Sequence, residues 1–222
     1  DGLVVGEGAG LFVLKRRAYA ERDGDEIHGV IRGIGLSNDN GGSLKSPDPD
    51  GQLRAMHADY AQAGWQPDDV DLIECHGTAA RVGDASELTS LQRLWADVEG
   101  DRSCVIGSVK SNVGHLLTAA GAAGLAKVLR ALDAELLPPT ANYQTPAHEA
   151  LQEGRFEVLQ AGRPWPRRDA TTPRRAALSA FGFGGINAHV LLEEYDAAAA
   201  LPARAPTEST SASADGPSSE AI

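Results

Sequence analysis

Residues 105–115 read VIGSVKSNVGH, and the fold turns on how this stretch is read. Val105, Ile106 and Val109 make a short apolar run of strand character. Lys110, Ser111, Asn112 and His115 follow on a polar turn, and residues 116–129, LLTAAGAAGLAKVL, then read as a helix rich in Ala and Gly. Side chains able to donate or transfer protons therefore gather where a strand hands over to a helix, the place where α/β proteins build their sites.

Working outward, residues 70–75 (VDLIEC) form a second strand, apolar enough for the middle of a sheet, with His76 at its exit. Between the two strands, Ala85, Leu88, Leu91, Leu94, Trp95 and Val98 repeat every three or four residues, so 84–99 is an amphipathic helix closed by Gly100. Leu53, Met56, Tyr60 and Ala61 mark an earlier helix, stopped by Gly64 and Pro67. Residues 27–36 alternate as a strand interrupted by glycines, and 37–51 (SNDNGGSLKSPDPDG) are a long polar loop that either covers a site or simply runs over the surface. Residues 16–26 are charged and turn-like. Gly6, Gly8 and Gly10 lead into a β-like run, LFVL, whereas a phosphate-binding loop needs a helix there, so a nucleotide site is not expected.

Downstream, the helix spanning 116–134 carries small residues on nearly every side of its first half and is expected to be buried in close contact with neighbours. Pro138 and Pro139 break the chain, and 156–159 offer an edge strand. Residues 176–181 and 188–192 read as strands flanking a tight glycine turn at 182–185. From 195 to 222 the composition shifts to Ala, Pro, Ser and Thr, predicting a disordered tail or linker after a unit spanning 1–194. Strands alternating with helices predict an α/β fold with a mainly parallel sheet.

At 222 residues and 42% hydrophobic content the chain can bury a sizeable core. No apolar run approaches the roughly 20 residues of a bilayer span, and the N-terminal residues lack signal-peptide character, so a cytoplasmic protein is expected. Cys75 and Cys104 lie in apolar runs and read as buried, reduced thiols. A net charge of −11 argues against a nucleic-acid partner. One stretch runs against it: 163–175, RPWPRRDATTPRR, has five arginines to one aspartate, and is either a solvated loop or a landing site for an acidic carrier protein.

Four segments carry a family resemblance. GSVKSNVGH resembles the Lys and second His motif of the β-ketoacyl synthases, HGTAARVGDASE (76–87) their first His motif, FGFGGINAHVLLEE (181–194) their closing glycine-rich motif, and DGLVVGEGAG (1–10) the segment leading into the second half of that domain. The resemblance implies the C-terminal half of a thiolase-like fold and decarboxylative condensation of an acyl thioester with malonyl units in polyketide or fatty acid synthesis. It also implies that the nucleophilic Cys precedes Asp1, in an N-terminal half that this chain would need for stability, and that the completed domain is a homodimer.

By that resemblance His76 and His115 are the catalytic pair, with Lys110 beside them and Asp84, Glu87 and Asn112 set around them. Asp84 or Glu87 is the expected counter-ion of Lys110, since a buried ammonium needs one. Thr78 matches a hydroxyl that bonds phosphopantetheine, while Ala79 and Ala80 replace the Gly and Thr of HGTGT, removing a hydrogen bond of about 0.5 to 1.5 kcal/mol. Phe183 matches the gating phenylalanine, whose backbone N–H is half of an oxyanion hole; Ile186 replaces the usual Thr, and His189 is read as structural. Cys75 adjoins His76 but faces the other way on a strand and is not expected to be the nucleophile. The implied partner is an acyl carrier protein; no cofactor is bound directly and no metal is expected. Two other functions stay open at this stage, a non-elongating carrier-binding partner akin to a chain-length factor and a thiolase-type acyltransferase.

Overall fold

The computed structural model describes residues 2–40, 47–146, 148–152 and 154–197. Eight strands are named in chain order: β1 (Val30–Asn38), β2 (Leu72–Glu74), β3 (Cys104–Gly107), β4 (Leu136–Leu137), β5 (Phe156–Glu157), β6 (Arg163–Pro164), β7 (Arg175–Gly182) and β8 (Ile186–Glu193). The five α-helices are α1 (Arg17–Asp23), α2 (Pro49–Ala63), α3 (Arg81–Leu94), α4 (Lys110–Val113) and α5 (Ala120–Asp133). Six strands make one sheet in the order β1-β8-β7-β2-β3-β5, while β4 and β6 pair separately. In the main sheet β2 pairs in parallel with β3 and β7, and β3 with β5; at the other edge β8 pairs antiparallel with both β7 and β1.

The sheet is covered on both faces, and the period of two sorts its residues between them. Ile73, Cys75, Ile106, Ala177 and Leu191 join the α2 and α3 side chains Met56, Leu88 and Leu91 in one core. Leu72, Val105, Ala176, Leu178 and Leu192 join Val128 and Leu132 of α5 in the other. A fully buried Leu or Ile such as Leu191 or Ile73 contributes roughly 1.5 to 3 kcal/mol. Helix α2 begins where Asp48 accepts the amide of Asp50 ahead of Pro49 at the first turn, and ends at Gly64 in the left-handed conformation (φ 69°). It lies so close to β1 that a Cβ on Gly35 would sit 1.8 Å from the carbonyl oxygen of Ala55.

Several expectations are corrected. Residues 17–23 of the charged N-terminal segment are helix: Arg17 and Glu21 pair one turn apart at 2.7 Å, and Gly24 (φ 71°) caps the end. The LFVL run is not a strand, because no strand among the described residues lies alongside it; Leu11 and Val13 are 95% and 97% exposed. Strand β1 continues to Asn38 and α2 starts at Pro49, which shortens the polar loop; its residues 41–46 lie outside the described residues. Helix α3 stops at Leu94, with Trp95 leaving helical geometry. The small-residue helix starts only at Ala120, after a 3-10 turn at Leu117–Ala119, and of its first five residues Ala120 and Gly124 alone are buried. The tail from 198 onward lies outside the described residues. No helix among the described residues is long and apolar enough to cross a membrane.

Candidate active site

Register brings the site together. Leu72, Ile73 and Glu74 of β2 align with Val105, Ile106 and Gly107 of β3 and with Ala176, Ala177 and Leu178 of β7. The three strands run in parallel, so the turns that leave their C-terminal ends converge: His76 after β2, residues 108–115 after β3, and the glycine turn 182–185 after β7. They border a cavity of about 800 Å3 lined by His76, Thr78, Lys110, His115, Phe181 and Phe183 among others.

The His76 and His115 rings lie edge to face, 5.4 Å between centroids at 83°. Each has one nitrogen occupied by a backbone donor: the Phe181 N–H reaches His76 Nδ1 at 3.4 Å, and the Leu117 N–H reaches His115 Nδ1 at 2.9 Å. A neutral imidazole that accepts at Nδ1 carries its proton on Nε2, so both rings keep an Nε2–H to donate. Burial first, then the Lys110 charge and the neighbouring imidazole, depress His76 to about 3. His115 is also lowered, by burial and by Lys110. Both are therefore neutral near pH 7.

The acidic residues of α3 lie around the His76 turn as the resemblance implies, but they make no ion pair with Lys110. Glu87 is buried and accepts the backbone N–H groups of His76 (2.7 Å) and Gly77 (2.8 Å). Asp84 accepts the N–H of Thr78 at 3.0 Å. Together they clasp the turn that presents His76, and among the described residues neither forms an ion pair with Lys110. Asn112 is exposed, bonds Ser111 Oγ at 3.3 Å and does not line the cavity, so its expected place around the histidines is not where it lies. Thr78 lines the cavity, with its Oγ1 facing the Ala80 amide at 3.4 Å. Phe183 stands 70% exposed at the cavity mouth on a turn whose Gly184 and Gly185 adopt φ of 85° and 78°.

Cys75 is buried in the α2 and α3 core, and burial drives its thiol well above the ordinary range, which suits a packing residue and not a nucleophile. Cys104 is likewise free and buried. His189 is fully buried and its Nδ1 lies 2.7 Å from Asp59 Oδ2 on α2, outside the cavity that His76 and His115 line. The arginine-rich segment is not a free basic surface. Arg163 pairs with Glu157, Arg167 with Glu194 and Asp196, Arg168 with Asp71, Arg174 with Glu135 and Glu194, and Arg175 with Asp69.

Sequence reading passed over Glu74 and Lys127. Glu74 Oε2 lies 2.6 Å from Lys127 Nζ, and Oε1 accepts the Val109 N–H at 2.6 Å. The signal was present: an acid inside a strand apolar enough to be central must be paired.

The chain belongs to the β-ketoacyl synthase family. The family's C-terminal domain matches residues 28–144, and the ketoacyl-synthetase C-terminal extension matches 145–221. Among its relatives, the polyketide synthase PksL of Bacillus subtilis is 40% identical over 200 residues, 88% of this chain and 4% of that protein. The hybrid PKS-NRPS synthetase pytA of Aspergillus terreus is 37% identical over 198 residues, 88% of this chain and 30% of that protein. In structure the chain is similar to the ketosynthase from module 6 of the bacillaene synthase of Bacillus subtilis, with a TM-score of 0.77 at 37% identity over 82% of this chain and 34% of that one. The chain thus spans about a third or less of the proteins it matches.

Proposed function

We propose that this chain supplies the two-histidine side of a β-ketoacyl-[acyl carrier protein] synthase, catalysing decarboxylative Claisen condensation of an acyl thioester with a malonyl thioester in polyketide or fatty acid biosynthesis. The observation that carries the reading is the edge-to-face imidazole pair whose Nδ1 atoms are both occupied by backbone N–H groups. When the malonyl carboxylate leaves as CO2, the electron pair of the broken C–C bond moves onto the thioester oxygen. Two Nε2–H donors, neutral and fixed before the reaction, stabilise that enolate oxygen without handing over a full proton. The enolate carbon then attacks the acyl carbonyl, and the thiolate that held the acyl group departs.

Each residue takes its place in this reading. His76 and His115 hold the enolate oxygen, and burial, aided by the Lys110 charge, keeps both imidazoles neutral. Asp84 and Glu87 hold the His76 turn, Thr78 meets the phosphopantetheine arm, and Phe183 gates the cavity while its backbone N–H receives the acyl carbonyl. The acyl-bearing Cys belongs to a ketosynthase N-terminal half, and the complete domain is a cytoplasmic homodimer that works with an acyl carrier protein and binds no cofactor of its own. A part lacking that Cys is inactive by itself. Two free imidazole donors give the chain-length-factor reading no support, and the closing motif 181–194 lacks the second reactive Cys of the thiolases.

His115→Ala in the complete ketosynthase is expected to slow CO2 release from malonyl thioester about 10²- to 10³-fold, the usual loss for one oxyanion donor. An unchanged decarboxylation rate overturns the reading.

A further inference from the structure

We propose that Glu74 is a positioning residue of this site, anchoring the turn that carries Lys110 and supplying counter-charge to its ammonium, with Lys127 dividing that charge. The proposal rests on the reading of Lys110 given above. Glu74 is the last residue of β2, two positions before His76, and is 1% exposed. It shares its face of the strand with Leu72 and points toward α5, where a Cβ on Gly124 would lie 3.1 Å from its Cγ. The absence of a side chain at Gly124 leaves room for the carboxylate.

Both carboxylate oxygens are engaged. The Val109 N–H that Oε1 accepts belongs to the residue immediately before Lys110, so the bond ties the start of α4 to the end of β2 from the interior of the sheet. The Lys127 ammonium at Oε2, with its side chain 12% exposed, offsets a carboxylate that burial alone would disfavour. No ion pair among the described residues joins Lys110 to a carboxylate, so Glu74 and Glu87 act on its ammonium through space. Lys110 is surrounded by Glu74 and Cys75 of β2 and its exit, Asp84 and Glu87 of α3, Lys127 of α5, and the two histidines. Burial pulls the Lys110 ammonium below its ordinary value; Glu74 is the foremost charge opposing that pull, ahead of Glu87, while Lys127 adds to it.

This arrangement makes two predictions of opposite sign. Glu74→Gln keeps an oxygen for the Val109 amide but removes the charge, so Lys110 should lose its proton about 1 pH unit lower. Lys127→Met removes the competing cation, so Lys110 should hold its proton to higher pH. The measurement is NMR titration of the complete ketosynthase carrying lysine labelled with 13C at the ε position, with Lys110→Arg identifying the signal. The alkaline limb of malonyl decarboxylation should move in the same two directions, through kcat and with KM unchanged. If neither variant moves the Lys110 titration, or both move it the same way, the inference is overturned whatever the activity does. If Glu74→Gln does not fold, the double variant Glu74→Gln, Lys127→Met takes its place: Lys110 should lose its proton at lower pH than in Lys127→Met alone, and no difference between the two overturns the inference. A titration that moves as expected beside a decarboxylation indifferent to His115→Ala would retain Glu74 and overturn the functional reading instead.

Discussion

Ala79 stands at φ 62°, in the left-handed region, where a residue bearing a Cβ is disfavoured by roughly 1 to 2 kcal/mol. It is held there because the turn must place His76 against His115 while Asp84 on α3 gathers the neighbouring Thr78 amide. A glycine would relax the strain and lose part of that gain to the greater freedom of its unfolded state. Ala79→Gly is therefore expected to stabilise the protein by about 0.5 to 1 kcal/mol, read as a higher denaturant midpoint at unchanged slope. A lower midpoint would mean that the left-handed turn is not formed. The same small scale governs the two histidines: one backbone N–H on each Nδ1 decides where the proton sits, and no property of an isolated histidine in the sequence specifies that.

Among the elements, the packing of α2 on β1 depends on atoms that are not there. Gly33 and Gly35 let the carbonyls of Asp59 and Ala55 approach to distances at which a Cβ would lie 2.4 and 1.8 Å away. Backbone cannot yield as a flexible side chain can, so Gly35→Ala should cost about 3 kcal/mol or more, measured by chemical denaturation. A loss below about 1 kcal/mol would show that α2 does not rest on this strand. The glycines in 27–36 were legible as interruptions of a strand, but their purpose was not, because it depends on a helix that lies some 20 residues further along. Helix α1 escaped sequence reading for a related reason: its charged residues looked like a solvated turn, although Arg17 and Glu21 sit at the helical spacing that lets them pair.

For the whole molecule, charge is arranged so that the basic segment is neutralised from within. Arg174 is 5% exposed and bridges Glu135, beyond α5, to Glu194, after β8, while also donating to the Trp165 carbonyl. Arg174→Ala removes a buried cation that donates to the Trp165 carbonyl, but Glu194 keeps Arg167 and Glu135 faces solvent, so the loss should be about 1 to 3 kcal/mol. Binding of an acyl carrier protein by the fraction that remains folded should be unchanged, as judged by calorimetric titration. Weakened binding with stability intact would restore the carrier-docking reading of this segment.

By itself the sequence determined the order of strands and helices through the main sheet, the three motif turns, and the two histidines and lysine within them, because hydrophobic period and motif spacing are local properties of the chain. Only the tertiary structure decided which turns meet. Parallel register brings the exits of β2, β3 and β7 to one edge, and it turns Glu87 and Asp84 toward backbone amides in place of Lys110. It also consumes the arginines in ion pairs and sets Glu74 against Lys127 across 53 positions of sequence. The reason is that the energy of a charge or a buried donor depends on what lies opposite it in space, and residues far apart in the chain supply that.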